Sequence, residues 1–326
     1  MTISSPSKNS AIDGGVLQGH TAMKIIRNDR VPGKIKGCVL TLGNFDGVHI
    51  GHQKILKRVS ERAMKLGRPS AVYTFEPHPL KVIAPDKSPP LITDLKDRTD
   101  LIASLGVDFC VLARFTKAFA SKHPRQFVEE VLVAGLGAKE VWVGHDYSFG
   151  RGKAGTVEYL KELGMKFGFA VRVIPAYKKG GAVVSSSKVR ALIRAGECAA
   201  ATAMLGRPFS LKGKVVRGSS RGKKLGFPTA NLKTENELVP AEGVYAAYAS
   251  SGGRFYPAVA NIGGAPTFGR RKTIVEVHML DFTGSIYGKD IRVCFIKRLR
   301  DETRFKSAGE LTRQIEKDVR RARRIL

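Results

Sequence analysis

Two histidines three residues apart close a glycine-rich turn, Gly43-Asn44-Phe45-Asp46-Gly47-Val48-His49-Ile50-Gly51-His52. An apolar run precedes the turn and an amphipathic one follows, so it lies where a strand hands over to a helix. A helix N-terminus there offers unpaired N–H groups and the positive end of its dipole to phosphate. Gly47 and Gly51 let the backbone approach a ligand, and His49 and His52 can both donate to it as charge builds. Such an arrangement suits the binding of phosphate and the stabilisation of charge that builds on it. Helix capping by the same histidines is the structural alternative. Three further segments could complete the site: Phe75-Glu76-Pro77-His78-Pro79, the stretch Gly144 to Gly150 containing His145 and Asp146, and Ser185-Ser186-Ser187-Lys188-Val189-Arg190. The serines suit capping and phosphate binding. Structural or exposed histidines and a solvated helix face remain open for His78, His145, Lys188 and Arg190. No G-x-x-x-x-G-K-[ST] occurs, so any ATP is bound without a P-loop.

A second set of groups lies in the last third of the chain. The stretch Gly218 to Gly226, with Gly222 and Lys223 inside it, is a glycine-spaced basic loop that could wrap phosphate as a nest. Phe227-Pro228-Thr229-Ala230-Asn231 follows, and Thr229 and Asn231 carry oxygens of the kind Mg²⁺ takes beside phosphate. Glu276, in Ile274-Val275-Glu276-Val277-His278, is spaced to share a face with His278 and is expected on a barrel interior. It is either a salt-bridged structural acid or a general base taking a proton from an attacking hydroxyl.

The elements that must position these groups differ between the two halves. Strand-like runs at 37–43, 70–75, 107–112 and 139–144 alternate with helix-like runs, at 52–67, 95–105 and 125–135. In the first helix Ile55, Val59 and Met64 are expected on the buried side. This alternation predicts a Rossmann-like α/β domain, a parallel sheet with helices on both faces. After about residue 205, short runs at 211–217, 243–250, 255–262, 273–280 and 290–297 are separated by Gly and Pro clusters, which predicts a small antiparallel β-barrel. A C-terminal helix closes the chain, with Ser307 and Glu310 as a capping box and Leu311, Ile315 and Val319 on its apolar face. The expected organisation is a flexible polar tail at 1–21, an α/β domain at 22–204 and a barrel domain at 205–326.

Composition narrows the partners. Of 326 residues 43% are hydrophobic, enough for packed cores, and no apolar run reaches the length of a membrane helix. The N-terminus has no secretory pattern, and four scattered cysteines without a C-x-x-C pair fit cytosolic thiols. The net charge is +28, with +14 on each side of Leu205. Nucleic acid, anionic substrates or solvated basic faces would each account for it. The charges are scattered and not interleaved with aromatics, so nucleic acid is not the expected partner.

The ordered segments LGNFDGVHIGH, FEPHP, VGHDYSFG, SSSKVR, LGFPTANL, GVYA, NIGGAPTFG and VEVHMLDF resemble the bacterial bifunctional riboflavin kinase/FMN adenylyltransferase (FAD synthetase) family, from about residue 35 onward. The resemblance implies two reactions. The barrel domain would phosphorylate riboflavin with ATP to give FMN, and the α/β domain, of the H-x-G-H nucleotidyltransferase type, would adenylylate FMN with ATP to give FAD and pyrophosphate. It implies that His49 and His52 contact ATP phosphates, that Ser185, Ser186, Ser187 and Arg190 belong to the same nucleotide site, that Thr229 and Asn231 serve Mg-nucleotide, and that Glu276 is the kinase base. ATP contacts are also expected from Gly43, Phe45, Asp46 and Gly51 in the first domain and from Gly218, Gly222 and Lys223 in the second. Flavin contacts are expected from His78, Pro79 and Asp146. Phe227, Tyr245 and Phe268 could form an apolar slot for the flavin ring or pack in the core. Ser187 stands where the family usually has threonine and Lys153 where many members carry arginine; neither removes a hydroxyl or a charge. A different nucleotidyltransferase and a non-enzymatic nucleic-acid binder are the competing readings. The enzyme is expected in the cytoplasm, with oligomeric state open.

Overall fold

A computed structural model describes residues 23–27, 35–218, 222, 225–267 and 270–326. The chain forms two compact units, residues 15–185 and a unit that includes 186–326. The expected tail at 1–21 lies outside the described residues.

The first unit is built on a six-stranded sheet, β1 (Lys24–Arg27), β2 (Val39–Leu42), β3 (Ser70–Glu76), β4 (Phe109–Arg114), β5 (Glu140–Gly144) and β6 (Ala170–Ile174), in the order β1-β4-β3-β2-β5-β6. Every pair is parallel, with Leu40 of central β2 opposite Ala71 on one side and Val141 on the other. β2 reads Val-Leu-Thr-Leu and is buried throughout, as a strand covered on both faces must be. On one face α1 (Ile50–Lys65) sets Val59 and Ala63 against Val39, while Leu56 packs with Val72 and with Ile102 of α2 (Leu95–Ala103). On the other face Leu40, Val141 and Val143 meet Leu132 and residues Leu160 and Leu163 of α3 (Val157–Phe167).

The four expected strands and the first two helices are present. Edge strands β1 and β6 and helix α3 were not anticipated, and the expected helix at 125–135 is an α-turn, Pro124–Phe127, continuing as the π-helix Val128–Gly135. Met64 is 76% exposed instead of buried. Helical geometry accounts for this: the face through Ile55 and Val59 continues at residue 63, where Ala63 is buried, and Met64 points a further 100° round.

A two-stranded ribbon, β7 (Lys178–Lys179) and β8 (Ala182–Val183), follows β6 in the first unit; the second unit opens with α4 (Ser186–Arg194) and α5 (Cys198–Leu205), and α5 packs along the barrel strands β9 (Phe209–Val216) and β14 (Asp290–Arg300). With β10 (Ala230–Thr234), β11 (Gly243–Ser251), β12 (Arg254–Thr267) and β13 (Arg270–Met279) these close a barrel in the order β10-β13-β12-β11-β14-β9. β10, the short strand that closes it, was not anticipated. The interior is filled by Leu211, Val215, Leu232, Tyr245, Val275, Val277 and Phe295, all buried. α6 (Ala308–Ile325) lies on the outside, its Val319 and Ala322 packed with Val244, Ala246, Val259 and Leu299. Ser307 caps it by accepting from Glu310 N–H, while the Glu310 carboxylate accepts from Lys306 N–H, one residue earlier than the expected reciprocal bond. Asp318, 4% exposed, receives Arg300 Nε and Nη2 and Gln314 Nε2, fixing α6 to the end of β14.

Asp318→Ala should therefore lower the stability of the barrel unit by about 2–3 kcal/mol, less than orphaning a fully buried charge because Arg300 keeps some solvent. Urea unfolding of the barrel transition would measure it. A midpoint equal to the parent's would mean that apolar contacts alone hold α6.

Candidate active site

In an open parallel sheet, ligands bind beyond the carboxyl ends of the strands, where the strand order reverses. Here the reversal is at β2, from which the chain builds outward through β3 on one side and β5 on the other. The turn after β2 carries Gly43 to His49. Phe45, Gly47 and Val48 all have positive φ, at 51°, 78° and 38°. A β-branched residue in that region is strained, so the turn is held by its surroundings. The holding group is Asp46. Its buried carboxylate accepts from the N–H groups of Ile92 (2.9 Å) and Thr93 (3.2 Å), and Thr93 Oγ1 accepts from Gly47 N–H. Asp46, expected at ATP, thus has its carboxylate on the 92–93 backbone, where it shapes the turn.

His49 is the N-cap of α1, its Nδ1 accepting from His52 N–H at 3.2 Å. That leaves the ring proton on Nε2. The His52 ring stacks on His49 at 3.6 Å between centroids and meets Phe45 edge-on. His52 Nδ1 is buried without a hydrogen-bond partner. Gly51 lets the rings sit there: a Cβ at this position would stand 3.2 Å from the His49 ring. α1 has no acidic residue in its first turn. Two imidazoles and a helix N-terminus free of acid make a place for anionic oxygen.

The neighbouring strand ends complete this rim. After β3, His78 caps the helical turn Pro79–Ile83 through Leu80 N–H, and its Nε2 lies 3.3 Å from Asn44 Nδ2. After β5, Asp146 is exposed, its Oδ1 folded toward Gly144 and 3.8 Å from His145 Nδ1. Tyr177 packs beside Gly51 beneath the Lys54 ammonium, and its carbonyl accepts from Val184 N–H, just before Ser185. Ser186, Ser187 and Arg190 lie on α4, in the other unit, with Arg190 buried.

In the barrel, register decides the arrangement. Glu276 stands opposite Asn231 on one neighbour and Asn261 on the other, and Asn261 stands opposite Val244. Opposed residues share a face, and Val244 is on the outer face under α6. Glu276 is therefore on the outside of the barrel. The expected interior position is corrected: Val275 and Val277 point inward, and a barrel this small is filled by side chains. Gly218 lies so close to Asn231 that a Cβ would stand 1.9 Å from its Nδ2, while Gly222 backs on Phe227 and Thr229. His278 Nδ1–H donates to Pro228 O at 2.8 Å, and its ring meets Phe227 edge-on. Tyr245 is core, its hydroxyl donating to Ala241 O and its ring against Phe295, so it lines no slot. Lys223 and Phe268 lie outside the described residues.

Comparison with known proteins bears on both halves. The family description "FAD synthetase" matches residues 32–188, and "Riboflavin kinase" matches 205–326. The bifunctional riboflavin kinase/FMN adenylyltransferase of Escherichia coli K12 is 39% identical over 289 residues, 88% of this chain and 92% of that protein. The chain belongs to the bifunctional riboflavin kinase/FMN adenylyltransferase family. The Bacillus subtilis member is 38% identical over 290 residues, 87% of this chain and 91% of its own. A solved Streptococcus pneumoniae structure named as a macrolide-efflux protein has a TM-score of 0.85 and 30% identity, covering 92% of this chain and 98% of that one. Among the described residues no helix is long and apolar enough to cross a membrane.

As a member of this family the chain makes FMN from riboflavin and FAD from FMN. Several residues around the two sites were not found from sequence. Arg98, Thr93 and Tyr177 sit in stretches whose pattern reads as loop or solvated helix, and Asn261 gains its place only from the register of β12 on β13. Three of the cysteines offer no reactive thiolate: burial pushes the thiols of Cys38 and Cys198 up to about 12 and that of Cys110 to about 11.

Burial and the neighbouring His49 hold the His52 imidazole well below its ordinary value of 6.5. The folded ring stays neutral where an unfolded one takes a proton, so the unit loses stability as pH falls through and below 6.5. His52→Asn is expected to remove that acid-side loss, read from thermal unfolding between about pH 5 and 8. A variant that still falls in parallel with the parent would assign the dependence to another group.

Proposed function

We propose that adenylyl transfer is carried by residues 22–204 around His49 and His52, and phosphorylation by residues 205–326 around Glu276. The observation that carries this reading is the pairing of two chemically different sites: imidazoles at an acid-free helix N-terminus, and a carboxylate in a row of amides.

For adenylyl transfer, an FMN phosphate oxygen attacks the α-phosphorus of ATP and pyrophosphate leaves. The nucleophile is already an anion, so donors are needed and a base is not. His49 and His52 donate to the phosphates as charge shifts to the leaving group. Gly43, Phe45 and Gly51 present backbone to the nucleotide, and Asp46 acts through the turn it clamps. Ser185, Ser186, Ser187 and Arg190 are assigned to ATP as well. His78, Pro79 and Asp146 are assigned to the flavin, with His78 also capping its own helical turn.

For phosphorylation, Glu276 takes the proton of the riboflavin hydroxyl, the oxygen attacks the γ-phosphorus, and ADP leaves. Gly218, Gly222 and Lys223 are assigned to ATP phosphates. Thr229 and Asn231 would hold Mg²⁺ together with phosphate oxygens. The donor set fits: both side chains carry neutral oxygens, and among the described residues no cluster of three acidic, His or Cys side chains forms a cage of its own. When bound, Mg²⁺ neutralises phosphate charge. Cys38, Cys110 and Cys198 are buried free thiols, which fits a cytoplasmic enzyme.

Glu276→Ala should lower FMN formation by at least about a hundredfold while FAD formation from supplied FMN continues. His49→Ala should do the reverse. Chromatography of products from riboflavin or FMN with ATP and Mg²⁺ reads both. Parental FMN formation by Glu276→Ala would remove Glu276 from the role of base.

A further inference from the structure

We infer that Arg98 is a positioning residue for adenylyl transfer, locking the phosphate-facing turn after β2 to the turn after β3. The inference rests on the assignment of adenylyl transfer to the His49 and His52 end of the sheet. Arg98 projects from α2 and is 1% exposed. Its Nη1 donates to Asn44 O at 3.2 Å. Its Nη2 donates to Phe75 O at 3.2 Å and to Glu76 Oε2 at 2.9 Å. Nε is buried without an acceptor.

These acceptors stand where the sheet ladder stops. The β2–β3 register ends at Leu42 opposite Tyr73, and one further bond runs from Gly43 N–H to Tyr73 O. Beyond that the two strands diverge into their turns, and the guanidinium spans the gap, helped by a long bond from Thr74 Oγ1 to Asn44 O. On the far side the Asn44 side chain reaches His78, two residues past Glu76. Arg98, Asn44, His78 and Glu76 thus close a ring of contacts around the two turns. Asn44 opens the strained segment that ends at His49, so a shift of its carbonyl is passed to the imidazoles through a backbone with no slack.

Stability alone does not account for such a residue. A buried guanidinium is costly, and its one carboxylate partner, Glu76, is 36% exposed. An apolar side chain would pack at least as well. What an apolar side chain or a lysine cannot do is reach three acceptors on two segments from one planar fork.

The test uses the full chain. Arg98→Lys is assayed for FAD formation from supplied FMN, for riboflavin phosphorylation in the same preparation, and for thermal unfolding. Misalignment of the turns should appear in kcat, because in-line attack is sensitive to placement while ground-state contacts to ATP persist. The expected result is a loss of about 10–100-fold in kcat for FAD formation. KM for ATP and FMN should move by less than about threefold, with phosphorylation unchanged. A parental kcat at a temperature where the unit is folded, or a loss confined to KM, overturns the inference. If Arg98→Lys does not accumulate as folded protein, Glu76→Ala decides, since it removes one acceptor and leaves both carbonyl bonds. A lowered kcat with parental unfolding temperature supports positioning, and a parental kcat refutes it. His49→Ala separates the two levels of argument. If it retains FAD formation, the site assignment itself fails; if it is inactive while Arg98→Lys is fully active, only this inference fails.

Discussion

The buried carboxylate of Asp46 is the interaction on which the α/β site depends. Between the end of β2 and the start of α1 the chain must turn from strand to helix while presenting backbone and imidazole to one side. It does so through three residues of positive φ, two of them not glycine. Such a turn does not hold itself. Asp46 holds it by taking the N–H groups of Ile92 and Thr93, and Thr93 returns a hydroxyl to Gly47 N–H. An acid in this motif would repel phosphate if it faced the ligand. Buried against main-chain donors it is satisfied, and its negative charge is spent on shape.

The barrel solves a different problem. A six-stranded barrel has room inside for its own side chains, and aromatic and branched residues take all of it. On the proposed assignment the reactive groups stand on the outer face, where α6 covers one part and leaves another. Antiparallel register does the positioning. Asn231, Glu276 and Asn261 come from three strands and fall in one row because each is directly opposite the next. His278, two residues on from Glu276, anchors the Pro228 carbonyl and so ties the segment before Asn231 to the strand that bears the carboxylate.

Much of this was legible in the chain, for physical reasons. Buried strands such as β2 and β5 announce themselves as apolar runs, and the turn after β2 by its glycines and histidines. The change from 3.6-residue to two-residue rhythm past residue 205 marks the barrel strands, while the compact units part earlier, between residues 185 and 186. What stayed hidden was non-local. Periodicity does not say which face of a closed sheet is inside, so Glu276 was expected inward. Edge strand β1 is largely exposed and carries no apolar pattern, and β10 is only five residues long. Arg98 reads as one more charge on a solvated helix until the strand ends it bridges are known. Tyr245 looked like a ring for a ligand and proved to be a ring for the core.

The two sites handle the same nucleotide with opposite equipment, and the difference follows from the acceptor. A flavin phosphate is an anion before it reacts; a base has nothing to remove, and a carboxylate aimed at it would raise the barrier. On the proposed assignment the α/β site accordingly keeps acid away: none in the first turn of α1, and Asp46 turned onto main chain. A ribityl hydroxyl is a neutral alcohol and a poor nucleophile until its proton is taken. The barrel site accordingly carries a carboxylate, flanked across both neighbouring strands by amides, which can hold it and a phosphate together without adding charge of either sign. The shared demand is for cations to meet triphosphate. That gives a part of the net charge, +14 on each side of Leu205, a use in substrate capture that needs no nucleic acid.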